Sequence, residues 1–472
     1  MRKVQSKESI STAKIALIYT IANVVTRGMA FITTPIFSRL MSKEEYGQFS
    51  NIASWVSILT VITTADLYSA ISKAKYDFDK DIDGFLSSIM VLSNVITLCF
   101  YGIVECNMSF FERLFSMEAI YIRFIFIYLI FWPASQFLQR KCQIYNKYKS
   151  VVAISGTSLF LSTIASLTLM FLLKNKLLAR VIGNYSVTII LYVILWGYIL
   201  FKGRRCSKKY CLYALKMSVP LILHNLAGNL LNSSDRIIIN KLCGSRETAL
   251  YSLAYTVAMI VTLILQSLNQ AYVPWLYDKL HENDMETINK NSVVYISVFF
   301  IFAVWVMLAA PEIVLIFGGE EYYAARFVIA PVVMGISLQF IYTLYVNIEL
   351  YNRKTHLISC ATTLAAIINV FSNYVCVPKW GYIAAAYTTM ASYLFMLIFH
   401  YWIVRWKCKQ YLNAYNKKAI IMFILLLSFV TAGCLFLYQH IIIRYIIILS
   451  CVIVTGIIAY GKRAIIKKKL KR

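Results

Sequence analysis

Long apolar runs separated by short polar segments make up most of the chain. A helix that crosses the hydrocarbon core of a membrane needs about 20 consecutive apolar residues. We predict such a helix near 13–37, 47–70, 84–106, 117–139, 151–173, 178–201, 213–240, 249–273, 291–317, 324–350, 356–378, 382–404, 418–438 and 441–461. No connecting segment is long enough to fold as a separate domain. The pattern therefore predicts an all-α polytopic membrane protein with about 14 transmembrane helices.

Composition agrees with this pattern. Hydrophobic residues make up 60% of the 472 residues and charged residues only 14%, whereas soluble domains contain about 25% charged residues. The first apolar run is too long for the core of a secretory signal, so we interpret it as the first span rather than as a cleaved leader. The eleven cysteines are scattered along the chain, which predicts neither a disulfide framework nor a metal site.

The excess of basic residues predicts the orientation. The chain carries 47 Lys and Arg against 21 Asp and Glu, a net charge of +26. Most basic residues fall in every second connection between spans, on the same side of the membrane as the two termini. Because cytoplasmic loops are enriched in Lys and Arg, we expect both termini in the cytoplasm. We also expect the basic tail to contact anionic membrane lipid. No basic domain lies outside the spans, which excludes nucleic acid as a partner.

Two segments six spans apart resemble each other. Residues 39–50 follow the first predicted span and residues 243–252 follow the seventh, and each leads from a short polar connection into a helix start with aromatic and small residues. Six spans between them give both segments the same orientation. The similarity between the two segments predicts two parallel repeats related by an axis along the membrane normal.

Several segments, in order along the chain, resemble the Wzx-type flippases of polysaccharide repeat units, which belong to the multidrug/oligosaccharidyl-lipid/polysaccharide exporter superfamily. They are Thr34–Leu40, Glu45–Gly47, Ser218–Ile222, Asn232–Arg236, Ala249–Tyr255, Ala310–Ile313, Phe317–Ala325 and Pro378–Ala386. Leu250 departs from the family pattern, which has Gly there. The resemblance implies two six-helix bundles, 1–201 and 202–408, around a central cavity, followed by two extra helices and a basic tail in 409–472.

The same resemblance implies a function and partners. It implies a flippase that moves undecaprenyl-diphosphate-linked oligosaccharide across the bacterial cytoplasmic (inner) membrane, for O antigen or another surface polysaccharide. Its expected partners are the lipid-linked oligosaccharide, membrane lipids and the glycan polymerase and assembly proteins. No cofactor is expected. A sugar diphosphate cannot cross hydrocarbon unaided, because unpaired polar groups cost several kcal/mol each, so we expect a polar cavity with cations for the diphosphate.

Two regions carry the candidate residues for translocation. Arg27 lies within the first apolar run, where it either faces the diphosphate or forms a structural ion pair. In the seventh predicted span, Asn225, Asn229 and Asn232 share one helix face, which either lines the cavity or bonds to a neighbouring helix. His224, Asp235 and Arg236 belong to the same helix. Asp235 and Arg236 are adjacent and point about 100° apart, so we expect no ion pair between them. One alternative is that one of the two contacts the cargo or a coupling cation. The other is that both lie at the membrane interface.

Asp66 and Glu349, with Asn347 beside the latter, are the candidates for ion coupling. A carboxylate within the membrane can carry a proton or a sodium ion. The alternative is that both acids lie at the cytoplasmic interface.

Other functions remain as rivals. A multidrug or lipid-precursor exporter of the same superfamily would have the same architecture. A membrane glycan polymerase would need a long external loop with catalytic charges, and none is predicted. The sequence contains no phosphate-binding glycine loop and no catalytic or metal-ligand motif, so we expect a transporter and not an enzyme.

Overall fold

Helices form all of the regular structure in the described part of the chain. The computed structural model describes the backbone of residues 28–461 and their side chains other than those of 148 and 454–461. Ten helices in this part are long and apolar enough to cross a membrane, or eleven if one bent pair is counted as a span. The predicted all-α polytopic class is confirmed.

The helices follow one another with short connections. We number them in chain order: α1 (28–40), α2 (Lys43–Thr64), α3 (Ile71–Asp77), α4 (Ile82–Cys106), α5 (Met108–Phe115), α6 (Ala119–Ile144), α7 (Tyr148–Leu172), α8 (Lys176–Gly203), α9 (Lys208–Leu242), α10 (Ser245–His281), α11 (Met285–Leu308), α12 (Ala310–Gly318), α13 (Arg326–Tyr351), α14 (Thr355–Trp380), α15 (Ala384–Lys407), α16 (Lys417–Leu437) and α17 (Ile441–Gly461).

The predicted spans and the helices coincide, with two breaks. The span predicted near 291–317 is divided at Ala309, where Pro311 stands in the first turn of α12. Proline has no N–H to donate to the preceding turn and disfavours helix in the residue before it. The span predicted near 47–70 is broken after Thr64, where the chain bends by 55°. Only the end of the first predicted span, from residue 28, lies within the described residues.

The seventh predicted span, α9, differs from the ten apolar helices. It is 35 residues long, yet its polar residues keep it out of that set. It packs against α14 on one side and against α2 on the other. A polar helix in this position has to direct its polar side chains toward protein or an aqueous cavity, because lipid cannot bond to them.

Apolar side chains pack into three clusters. One joins α1, α2, α6 and α8, a second joins α3, α4, α6 and the start of α9, and the largest joins α9 from Ala227 to the helices that follow it. The last two helices attach to the third cluster through Tyr438, whose hydroxyl donates to the Met307 carbonyl, and through the Arg444–Glu312 ion pair.

The starts of α2 and α10 contact each other, so the two segments that resemble each other in sequence are neighbours in space. Ser42 and Glu45 form a capping box that fixes the first turn of α2. A Cβ added to Gly47 would lie 1.7 Å from the Ser245 carbonyl oxygen. Glycine is therefore needed for this close approach, and the Ser245 hydroxyl donates to Gln48 beside it.

Candidate functional site

A polar cavity of about 220 Å³ lies where α1, α2, α8, α9 and α10 meet. Its lining combines two arginines, seven hydroxyl side chains from serine and threonine, and a few aromatic rings. The lining residues are Thr33, Thr34, Phe37, Tyr46, Phe49, Ser50, Ala53, Ser54, Arg180, Ser233, Arg236, Ser252 and Thr256.

Aromatic rings hold the two arginines of the cavity. The guanidinium of Arg180 on α8 lies 3.1 Å from the ring centroid of Phe37 and 4.8 Å from that of Phe49. The guanidinium of Arg236 on α9 lies 4.5 Å from the ring centroid of Tyr255 and donates a hydrogen bond to the Asn232 carbonyl. Cation–π contacts position a guanidinium without neutralising it.

Neither arginine has an acidic partner in the part of the chain that the structure describes. Among the described residues, no carboxylate oxygen lies within 4.0 Å of a nitrogen of Arg180 or Arg236. Both side chains are partly buried. Two uncompensated cations beside seven hydroxyl groups make the cavity suited to an anion with several oxygens, since guanidinium groups form charge-assisted, often bidentate bonds with such anions.

Asp235 points away from this cavity into a buried polar cluster. Its carboxylate accepts hydrogen bonds from the Tyr251 hydroxyl at 2.5 Å, the Thr389 hydroxyl at 2.8 Å and the Asn373 amide at 2.6 Å. The side chain of Asn369 joins the cluster by bonding to Thr389. The cluster ties α9, α10, α14 and α15 together, while the adjacent Arg236 faces the cavity, as their angular separation predicts.

The three predicted asparagines do not act as one surface. The hydroxyl of Ser57 on α2 donates to Asn229 at 3.3 Å, and Asn225 lies beside the carboxylate of Asp66. Asn232 is exposed and its amide donates to the Gly228 carbonyl of its own helix. Asn229 thus faces α2 and Asn225 faces the break after it, and none of the three lines the cavity.

Asp66 lies at the break that follows α2. Ala65 and Asp66 both adopt left-handed backbone conformations, with φ of 45° and 52°. The Asp66 side chain is fully buried; its Oδ2 accepts a hydrogen bond from Ser69 at 2.6 Å. Its Oδ1 and the Nδ1 of the neighbouring His224 have no hydrogen-bond partner among the described residues. Asp66 is therefore enclosed by protein.

Glu349 also lies in the interior. It is fully buried, and its Oε1 lies 2.8 Å from the Nδ1 of His400, which is fully buried on α15. The neighbouring Asn347 donates to the Asn269 side chain on α10 at 2.8 Å. Arg27, the remaining candidate from the sequence, lies outside the described residues.

The sequence model of the polysaccharide biosynthesis protein family matches residues 12–280, more than half of the chain. The chain belongs to this family. Among its relatives is the Lsg locus putative protein 1 of Haemophilus influenzae, which is 25% identical over 380 residues that cover 76% of this chain and 90% of the relative. An uncharacterized membrane protein of the same species is 22% identical over 76% of this chain and 89% of its own length.

Solved structures share the fold. The lipid II flippase MurJ in an inward closed conformation superimposes with a TM-score of 0.63 at 14% identity, covering 91% of this chain and all of MurJ. An inward-facing multidrug resistance MATE family transporter of the MOP superfamily gives 0.57 at 13% identity, covering 87% and 99%. This member of the polysaccharide biosynthesis family is thus a multi-pass membrane protein with the fold of the MOP superfamily.

Sequence reasoning missed Arg180, His400 and the asparagines of α14. Arg180 is the third residue of the predicted sixth span, close to a span end, where basic residues are common. Asn369 and Asn373 are four residues apart, on one face of a membrane helix, which is the signal that identified the asparagines of α9. His400 was detectable as an ionisable residue within a predicted span.

Proposed function

We propose that this member of the polysaccharide biosynthesis family is a flippase for undecaprenyl-diphosphate-linked oligosaccharide. It would carry repeat units from the cytoplasmic to the periplasmic leaflet of the bacterial inner membrane by alternating access, for O antigen or another surface polysaccharide. Family membership supports a role in polysaccharide biosynthesis, and the fold supports transport rather than enzymatic catalysis. The substrate class rests on the chemistry of the cavity.

Arg180 and Arg236, which have no acidic partner among the described residues, carry the proposal. A diphosphate brings several anionic oxygens in one compact group, and hydrogen bonds that involve a charged group contribute about 1.5–3 kcal/mol each. The hydroxyl groups that surround the arginines can bond the remaining phosphate oxygens or the first sugar. The polyprenyl chain would stay in the lipid, where it has no polar group to desolvate.

The two helix bundles and the C-terminal helices would have separate roles in the transport cycle. The bundles 1–201 and 202–408 would rock against each other about the cavity, with the helices of 409–472 outside it and both termini in the cytoplasm. Arg27 would also face the diphosphate. Glycan polymerase and assembly proteins would take the cargo on the outer side.

A proton or a sodium ion would drive the cycle, because one charge that crosses a potential of 100 mV supplies about 2.3 kcal/mol. Asp66, Asp235 and Glu349 are each buried and are the candidates to carry it.

Neutralising the arginines tests the proposal. We expect Arg180→Gln and Arg236→Gln each to lower transport about tenfold to a hundredfold, which corresponds to the loss of one charge-assisted contact. The measurement is the amount of undecaprenyl-linked oligosaccharide on each leaflet in cells that carry the variant. Arg113→Gln is the matched control, because Arg113 is exposed on the short helix α5, outside the cavity.

The cargo pool should accumulate on the cytoplasmic leaflet while the protein remains abundant in the membrane. Unchanged transport in both variants would refute the diphosphate site. Cargo that reaches the outer leaflet but stays unpolymerised would instead favour a polymerase.

The shared fold supports one second candidate, an exporter of drugs or of another lipid precursor. MATE transporters and a lipid II flippase both have this architecture. Changed drug susceptibility or a peptidoglycan defect, with surface polysaccharide intact, would favour this candidate over the oligosaccharide flippase.

A further inference from the structure

A second polar pocket, with a volume of about 550 Å³, lies between the ends of α6 and α8 and the starts of α4 and α7. We call it the basic pocket, because Lys141, Lys147 and Lys202 line it together with two tyrosines and a serine. Its volume lies within the range of small-molecule sites, about 300–1,000 Å³. The pocket is therefore large enough for a ligand, and it carries the groups that bind an anion.

The basic pocket is separate from the cavity that contains Arg180 and Arg236. Arg180 lies near the start of α8 and Lys202 near its end, about 33 Å apart along the helix at a rise of about 1.5 Å per residue. No described residue lines both spaces. The basic pocket lies at the membrane face where α6 ends and α7 begins, and the distribution of basic residues predicts that this face is cytoplasmic.

Lysines outnumber acids at the basic pocket. Asp83, at the start of α4, pairs with both Lys141 and Lys202, and its Oδ2 lies 3.4 Å from the Lys202 Nζ. Asp79 accepts a hydrogen bond from a tyrosine hydroxyl of the pocket at 2.5 Å. In the described part of the chain, no carboxylate oxygen lies within 4.0 Å of the Lys147 Nζ. The three lysines thus exceed the two acids, and the pocket keeps a net positive charge.

A pocket between helix ends at the other membrane face has the opposite charge balance. This outer pocket has a volume of about 630 Å³ and lies between α2, α5 and the starts of α6 and α8. Glu112, Glu118 and Arg113 line it, so acids outnumber basic residues there. A positive balance is therefore not a general property of the spaces between helix ends in this protein.

Apolar surface continues from the basic pocket along α8. Leu138 on α6 and Leu195 on α8 line the part of the pocket that is closer to the middle of each helix than the lysines are. Ile194, Tyr198 and Phe201 are exposed and recur on one face of α8, and Tyr198 also lines the pocket. In a membrane, an exposed apolar face contacts lipid chains. A lipid whose headgroup lies in the pocket can thus extend its chains along α8.

We propose that the basic pocket binds the headgroup of an acidic phospholipid from the surrounding leaflet. The phosphate lies between Lys147 and Lys202, which bind it as point charges, and the acyl chains follow the exposed face of α8. Basic pockets between membrane helices on the cytoplasmic side suit acidic headgroups. A soluble anion would leave the apolar part of the pocket unused, and a zwitterionic lipid would bring no net charge to the lysines. The site does not depend on the transported cargo, because it shares no lining residue with the arginine cavity.

Native mass spectrometry of the purified full chain in neutral detergent, titrated with phosphatidylglycerol, tests the proposal. We expect Lys147→Gln combined with Lys202→Gln to weaken binding of the first lipid about tenfold or more, because two charge-assisted contacts are lost. The matched control combines Lys290→Gln with Lys418→Gln, two exposed lysines at the starts of α11 and α16 on the same face. It should change the affinity less than about twofold. Equal weakening by both pairs would overturn the site.

Asp83→Asn gives an effect of opposite sign, which misfolding cannot imitate. The substitution removes one acid from the pocket and frees Lys141 and Lys202 from their partner. Binding of phosphatidylglycerol should tighten about twofold to fivefold, which corresponds to the loss of exposed ion pairs. Unchanged or weaker binding would overturn the proposal.

Competition experiments with the wild type identify the ligand class. Glycerol phosphate has a phosphate without acyl chains, and phosphatidylcholine has the chains without a net charge, so neither should displace phosphatidylglycerol. Displacement by glycerol phosphate would make the pocket a site for soluble anions. Displacement by undecaprenyl diphosphate at the same concentration would assign the pocket to the cargo. Either result would overturn the proposal and leave the test of the cavity arginines unaffected.

Photochemical crosslinking locates the bound lipid. A benzophenone side chain placed at Ser150, which lines the basic pocket, should crosslink to phosphatidylglycerol in preference to phosphatidylcholine. The same group at Ser109, which lines the outer pocket, should show no such preference. Equal crosslinking of both lipids at Ser150 would overturn the assignment of the acidic lipid to this pocket.

Discussion

The helices α2 and α10 begin at similar sequence segments and pack against each other, yet they differ in continuity. α10 runs for 37 residues without a break, while α2 ends after 22 and the chain bends by 55°. The bend places Asp66 in the protein interior, and one of its carboxylate oxygens has no hydrogen-bond partner among the described residues. α10 carries no such acid at its centre; it contributes Tyr251 to the cluster around Asp235 of its neighbour α9. The break after α2 thus creates a buried polar site at the break itself, whereas the continuous α10 contributes a hydrogen-bond donor to a site on α9.

The largest expected effect is on the cluster that α10 completes. Asp235→Ala removes the acceptor of three buried donors, and each donor left unpaired costs about 1–3 kcal/mol. We expect a clear fall in the thermal unfolding temperature of the purified protein, with a smaller fall for Asp235→Asn, which keeps one acceptor oxygen.

Asp278→Ala is the control, since Asp278 is exposed near the end of α10. If the two alanine variants unfold at the same temperature, the cluster does not stabilise the packing of α9, α10, α14 and α15.

A smaller effect is expected where α2 and α10 meet. In Gly47→Ala the new Cβ would overlap the Ser245 carbonyl oxygen, and because the obstacle is backbone, the helices must move apart at a cost of about 1–3 kcal/mol. Thermal unfolding measures the loss. Gly102→Ala on α4 is the matched control, because nothing lies within 4 Å of its added Cβ.

Equal stability of the two alanine variants would mean that the helices are not held at this close approach. Disulfide formation between cysteines introduced at Gln48 and Ser245 gives an independent check. It should be efficient in the otherwise unchanged chain and weaker when Gly47→Ala is added.

The smallest effect concerns the break itself. Ala65 has φ of 45°, a conformation that costs a residue with a Cβ about 1–2 kcal/mol relative to glycine. We expect Ala65→Gly to stabilise the protein by about 1 kcal/mol or less. Ala70→Gly, at a φ of −69°, should destabilise it by about 0.5–1 kcal/mol. A loss of stability in both variants would show that the break carries no strain at Ala65.

The candidate site was only partly predictable. Arg236 and Asp235 were found because a charge within an apolar run is costly and rarely accidental, and their divergence followed from helix geometry. Arg180 was missed because span boundaries read from hydropathy are uncertain by several residues. The asparagine stripe was identified as one face, but its partners on α2 could not be read from a single helix.

The sequence by itself determined the all-helical class, the order of the helices and the polar character of α9. These properties depend on residues close together in the chain: apolar runs must become helices in a membrane because their backbone groups find no other partners there. Tertiary structure alone decided that Arg180 joins Arg236 in one cavity, that Asp235 bonds to three other helices, and that Glu349 pairs with His400. Each of these contacts joins residues dozens of positions apart or on different helices, and the rotation of packed helices, which no local pattern encodes, sets which side chains meet.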